Sequence, residues 1–230
     1  MPMLQEIRQN GASPATWRTI ARTSVVCGLI LLGTTLVGLY TGTPLNHLTI
    51  DPADVLMAPA VIGLLSHFGI MLWAASAAFC IMGVRISGTG PGRRFLMASS
   101  VVCMILAFDD ALLLHDRVFP EVVGIPETIV YIFYALGFGG YLVLFSKRIL
   151  QTEFLPLGIS VTFLVCSVLM DRILPFTPVE TFIEDFFKFI GIVFWCVYFY
   201  HTVISTTGRR RDWAAGQKAP AKFPLEASLP

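Results

Sequence analysis

Six apolar stretches, at 24–40, 58–84, 95–115, 128–145, 155–174 and 181–204, decide what this chain can fold into. Most approach the roughly 20 residues that an apolar α-helix needs to cross a bilayer. Within lipid every backbone N–H and C=O must be satisfied inside the segment, and separate runs of this length do so as helices. The breaks TGTPLNHLTIDPAD, ISGTGPGRR, FPEVVGIPE and PFTPVE are rich in turn formers. Charged residues make up 13% of the chain, half the share of about 25% in a soluble domain, and mean hydropathy is +0.74. The expectation is an all-α membrane fold, a six-transmembrane-helix bundle. Residues 1–20 form an N-terminal segment, 21–207 the membrane domain, and 208–230 a disordered tail. The polar head is too long for a cleaved signal peptide, so the first run is expected to remain as a span.

Positive charge predicts the orientation. Arg8, Arg18 and Arg22 precede the first run, Arg85, Arg93 and Arg94 follow the second, and Lys147 and Arg148 follow the fourth. Arg209, Arg210, Arg211, Lys218 and Lys222 follow the sixth, whereas the alternate loops carry only Arg117 and Arg172. By the positive-inside rule both termini are cytoplasmic, in a bacterial inner membrane. The basic residues flank spans, so membrane lipids are the expected partners and nucleic acid is not. Cys27, Cys80, Cys103, Cys166 and Cys196 all fall in apolar runs without a CxxC, as small reduced core residues.

That orientation gathers the ionisable residues into one layer near the outer face. His67, Asp109, Asp110, His115, Asp171, Glu184, Asp185 and Lys188 all fall near the outer ends of their runs. A charge in a bilayer costs roughly 2.5–3.5 kcal/mol on insertion scales, so such a layer marks a site. Glu184 and Lys188 have the i,i+4 spacing of an intrahelical ion pair, with Asp185 at i,i+3. Ser167 and Asp171 are i,i+4 as well, and Asp109 and Asp116, seven apart, share one helix face. Asp110 points about 100° away from Asp109, which predicts different partners for the two. Acids outnumber Lys188, Arg117 and Arg172, so the surplus must be protonated, paired or bound to a cation. Histidines beside carboxylates suit Zn, Fe or Mn. The expected metal ligands are therefore His67, Asp109, Asp110, His115 and Asp171. Glu184, Asp185 and Lys188 are the expected catalytic groups. Taken singly, each acid also reads as a helix-packing residue, His115 as solvated at the boundary, and the aromatic series from Phe186 to Tyr200 as lipid-facing surface.

HDRVFP at 115–120 followed by ETIVYIFY, and MDRILP at 170–175 followed by ETFIEDFF, suggest a parallel repeat of helical hairpins, helices 3–4 and 5–6. Shared turn chemistry, with Pro and Glu at helix starts, is the alternative.

The run FDDALLLHD (108–116) with EDFFKFIG (184–191) resembles a pattern in uncharacterised polytopic bacterial membrane proteins, which implies a shared architecture and no assigned activity. Ser66, His67 and Asp109 or Asp110 also look like part of the site of alkaline ceramidase-like membrane hydrolases. Their last helix carries HxxxH, where this chain has Glu184, Asp185 and Lys188. Three functions follow. The first is a divalent-metal enzyme, hydrolase-like and acting at the outer leaflet, with Glu184 or Asp185 as general base and Lys188 steadying an anion. The second is a cation or proton transporter. The third is a non-catalytic subunit whose polar layer is structural.

Overall fold

The structure, a computed structural model, describes residues 14–49, 52–59, 61–173 and 177–218. Met1–Ile62 and Gly63–Pro230 are two compact units. The first holds α1 (Pro14–Thr41), a 3-10 turn (Leu45–Leu48) and the short α2 (Pro52–Val55). Leu29, Ile30, Leu31 and Leu39 of α1 are exposed. The hydroxyls of Thr34 and Thr35 donate to the carbonyls of Ile30 and Leu31 at 2.9 and 2.8 Å. Such back-bonding hides a hydroxyl where no water is available.

The second unit holds α3 (Leu64–Ile86), α4 (Pro91–Leu112), a π-helical turn (Leu114–Val123), α5 (Glu127–Ile149), α6 (Leu155–Ile173) and α7 (Pro178–Lys218). Across both units, six helices are long and apolar enough to cross a membrane, and they mark an integral membrane protein. No strand occurs among the described residues.

Three boundaries differ from expectation, each for a local reason. The second helix begins at Leu64 and not at 58, after Gly63 turns the chain at φ 69°. The third ends at Leu112, because Leu113 adopts the left-handed region at φ 51°. His115 therefore lies beyond the helix, in a π-turn that contains Pro120, a residue with no N–H to donate. The last helix continues to Lys218, into the stretch expected as a disordered tail, while residues 219–230 and most of the expected N-terminal segment lie outside the described residues.

In the second unit α7 packs against α3 and α6, and α4 against α3. Ile192, Trp195, Phe199 and Val203 form the buried stripe of α7, at the helical spacing of a core face. This corrects the expectation that its aromatics face lipid. Trp195, Tyr198 and Phe199 are fully buried, because helices meeting around α7 leave space that only large rings fill. Trp195 lies 5.5 Å from Trp73 and Phe138, ring to ring, and donates its N–H to Cys103 Sγ at 3.1 Å. Phe186 and Tyr200 are exposed, as expected. All five cysteines are free; Cys80 and Cys103 belong to the core, but Cys27 is exposed.

Ser160 donates to the Gly191 carbonyl at 2.7 Å, where α6 and α7 pack closely. A Cβ on Gly191 would stand 2.7 Å from Leu164 Cγ and 3.1 Å from the Ser160 carbonyl oxygen. Small residues at membrane-helix contacts permit this approach. Gly191→Val is expected to cost about 1–3 kcal/mol by overpacking, read as a lower thermal midpoint in detergent.

Candidate functional site

The last turn of α4 carries two consecutive acids, and the helical rotation between them sends each to a different network. Asp110 faces α3 and α7. Its Oδ2 accepts the Trp73 indole N–H at 3.0 Å, and its Oδ1 accepts a hydrogen bond from Lys188 Nζ at 2.7 Å. Lys188 thus pairs across helices and not with Glu184, the partner its i,i+4 spacing suggested. Glu184 and Asp185 make no side-chain hydrogen bond or ion pair among the described residues. A cleft of about 20 Å³ opens over the pair, lined by Leu65, Ser66, Gly69, Asp110, Asp185, Lys188, Phe189 and Ile192. One water needs roughly 10–15 Å³ by this measure, so the cleft admits a water or small cation and no organic substrate.

Asp109 turns to the other side and is almost fully buried. Its Oδ2 lies 2.6 Å from His115 Nδ1, while its Oδ1 accepts the Tyr134 hydroxyl at 2.7 Å and the His115 backbone N–H at 3.1 Å. His115 Nε2 in turn meets Asp116 Oδ1 at 3.0 Å. The left-handed Leu113 makes this possible by folding the chain back so that His115 returns over Asp109. The expectation that Asp109 and Asp116 share a helix face fails for the same reason: the two lie on different elements, bridged by the imidazole. His115, expected at a solvated boundary, is buried. Burial opposes its charge, but the hydrogen bonds and charges of Asp109 and Asp116 prevail and raise its pKa to about 10. The hydrogen bond from His115 holds Asp116 below the usual carboxylate range.

A third cluster ties α5 to α6. Arg172 lies 2.6 Å from Glu127 Oε1 and 3.3 Å from Asp171 Oδ2, with its guanidinium 4.2 Å above the Tyr131 ring. Tyr131 also packs edge-on to His115 at 5.5 Å.

Among the described residues no three His, Cys, Asp or Glu side chains converge as a metal-ligand set. The five expected ligands are distributed instead. Asp109 and His115 bond to each other, Asp110 to Lys188, and Asp171 to Arg172. His67 is exposed on the first turn of α3, its ring beside Gly63. These partners do not fit a shared divalent metal. Tyr134, Trp73, Glu127 and Tyr131 complete the networks without having been singled out in the sequence, where nothing marks a lone aromatic as an acid's partner.

A family model for a domain of unknown function, DUF8692, matches residues 23–202. The chain belongs to the DUF8692 family. The DUF8692 match covers the second to fifth apolar helices whole, most of the first and sixth spans, and every residue of the three networks, in keeping with the resemblance to an uncharacterised membrane family. No curated protein and no solved structure matches, and similarity to a hydrolase is not shown.

Proposed function

We propose that this membrane protein binds a small cation, a proton or a monovalent ion, at the Asp110–Lys188 pair. The water-sized cleft over Asp110, Asp185 and Lys188 carries the reading. Lys188 acts as a tethered internal cation that neutralises Asp110 at rest. Glu184 and Asp185, one turn earlier on the same helix, are alternative acceptors within its reach. An entering cation takes the place of the ammonium at Asp110, and Lys188 turns to its own helix. Asp110 thus keeps a cationic partner in either state, Lys188 at rest and the entering cation when bound, so its buried charge is never left alone. The positive-inside pattern supports an orientation with both termini cytoplasmic and this end of the bundle outward, in a bacterial inner membrane.

The test is linkage. A cation that binds the folded state at ten times its Kd raises stability by about 1.4 kcal/mol. Thermal midpoints of the detergent-purified protein in Na⁺, K⁺, Li⁺ and choline buffers across pH are expected to differ for the wild type and to coincide for Asp110→Asn. Proteoliposome uptake then asks whether binding leads to transport. Identical midpoints for the wild type in every cation and at every pH leave a structural role for the pair. Stoichiometric Zn, Fe or Mn, lost in both Asp110→Ala and His115→Ala, overturns the reading in favour of a metal-dependent enzyme.

A further inference from the structure

Three helices direct polar groups at the cleft over Asp110 and Lys188. α3 contributes Ser66 and Gly69, α7 contributes Asp185 and Lys188, and the last turn of α4 contributes Asp110. Ser66, Gly69 and Trp73 are spaced i, i+3, i+7, which puts them on one face of α3. Trp73 fixes where that face looks, because its indole donates to Asp110. Helical side chains lean toward the N-terminus of their helix, so the ring reaches up past Gly69 toward the level of Ser66. On α7, Asp185, Lys188 and Ile192 share a face by the same spacing.

Two of these polar groups hold each other and two are unengaged. Asp110 and Lys188 are paired, whereas Ser66 and Asp185 make no side-chain hydrogen bond or ion pair among the described residues. Serines elsewhere in α3 and α4 behave differently. Ser76 donates to the Leu72 carbonyl at 2.8 Å, and Ser99 and Ser100 donate to those of Phe95 and Met97 at 2.7 Å. Such back-bonding hides a hydroxyl in an apolar helix. Ser66 leaves its oxygen free, and it does so where it lines the cleft. Gly69, one turn further along, adds no side chain to the opening. A Cβ there would stand 3.2 Å from Ile192 Cδ1 and narrow the gap between α3 and α7.

A free hydroxyl and a kept space distinguish among cations. A proton resides on one carboxylate and requires neither a cavity nor a second ligand. A hard metal ion exchanges water oxygens for several protein oxygens and is selected by cavity size and ligand number. In their ordinary charge states Asp110, Asp185 and Lys188 carry one net negative charge, which a monovalent ion cancels and a divalent ion overshoots. The cleft, about 20 Å³, has room for little more than one body of water's size, which favours sodium over the larger potassium. Resting on the reading of the pair as a cation site, we infer that its ion is sodium, held between the Asp110 carboxylate and the Ser66 hydroxyl. Asp185 receives the Lys188 ammonium that the ion displaces. Ser66 is thus the residue that makes the site one for a metal ion.

Thermal midpoints of the detergent-purified full chain, titrated with sodium, potassium or choline chloride at constant ionic strength, test this. The wild type is expected to gain stability with sodium and not with the other two. Ser66→Ala is expected to need roughly ten-fold more sodium for the same gain, the scale of one lost supporting contact at a metal site. Its midpoint in choline is expected to match the wild type, since the hydroxyl bonds nothing in the ion-free protein. Ser66→Thr, which keeps the hydroxyl, is expected to follow the wild type in sodium. Superimposable sodium titrations of the wild type and Ser66→Ala overturn the role of Ser66. Equal midpoints in the three salts, with a pH response that Asp110→Asn removes, overturn sodium in favour of a proton at the same pair. Equal midpoints with no response that Asp110→Asn removes overturn the cation site itself, and sodium with it.

Discussion

Lys188→Met is expected to lower the unfolding free energy by about 2–4 kcal/mol, below the upper end for breaking a buried pair. The discount reflects the geometry, since 34% of the Lys188 side chain reaches the surface while only 9% of Asp110 does. The substitution leaves Asp110 with the Trp73 N–H as its one remaining side-chain donor among the described residues, beside a cleft that holds at most a water or two. Neutralising the acid as well removes the stranded charge, so Asp110→Asn combined with Lys188→Met is expected to recover more than half of the loss. Asp185→Asn, at a side chain with no hydrogen bond or ion pair among the described residues, is expected to be near neutral. Thermal unfolding of the four proteins in one detergent forms the comparison. Equal stability of Lys188→Met and the wild type would show that the pair is not held in the folded protein.

The second large effect is a dependence of stability on pH that runs through His115. Folded His115 keeps its proton to about pH 10, whereas its ordinary pKa is 6.5. A raised pKa means that the folded state binds the proton more tightly. The stabilisation is therefore complete below the ordinary value and is lost as pH climbs through about 10. Asp116 behaves oppositely: its contribution is complete above the usual carboxylate range and is lost as pH falls through it. Wild-type stability is thus highest in mildly acidic solution. Between about pH 6 and pH 10 the loss is on the order of 2–4 kcal/mol, or roughly 5–15 °C in midpoint for a chain of this size. His115→Gln is expected to be less stable at the acidic end and flat across the alkaline range. An unchanged alkaline limb in that variant would assign the dependence elsewhere.

The six long helices were legible in the sequence because apolar length is a property of each segment alone. The gathering of acids at one end was equally legible, since it follows from counting along antiparallel helices. What escaped reading was set by single backbone dihedrals and by tertiary choice. Nothing in ALLLHD announces that Leu113 turns left-handed, yet that turn moves His115 from a helix face to a position over Asp109. Lys188 had acids at both i−4 and i−3, and helical spacing favoured them. Asp110 prevails because it is more buried and has more to lose unpaired. The aromatics of α7 misled for a related reason. A membrane helix is apolar on every side, so composition does not tell the face that meets other helices from the face that meets lipid. Only the stripe through Ile192, Trp195, Phe199 and Val203 does so, and the residues between are equally bulky.

α5 is lightly held along its length. Only 11% of its apolar window is buried, and Gly137, Gly139 and Gly140 face open space where a side chain would extend. Its attachments lie along one side: Tyr131 and Tyr134 near its start, Tyr141, whose hydroxyl meets Ser99 Oγ at 2.8 Å, and Phe138 against Trp195 in its middle, and Arg148 over Gly92 at its end. A helix of 23 residues is a rod of about 35 Å, stiff over its whole length whatever surrounds its middle. It behaves as a beam pinned along one side and open on the other. Its free side can take up a neighbour without disturbing the pins, because nothing along Gly137, Gly139 and Gly140 has to move aside.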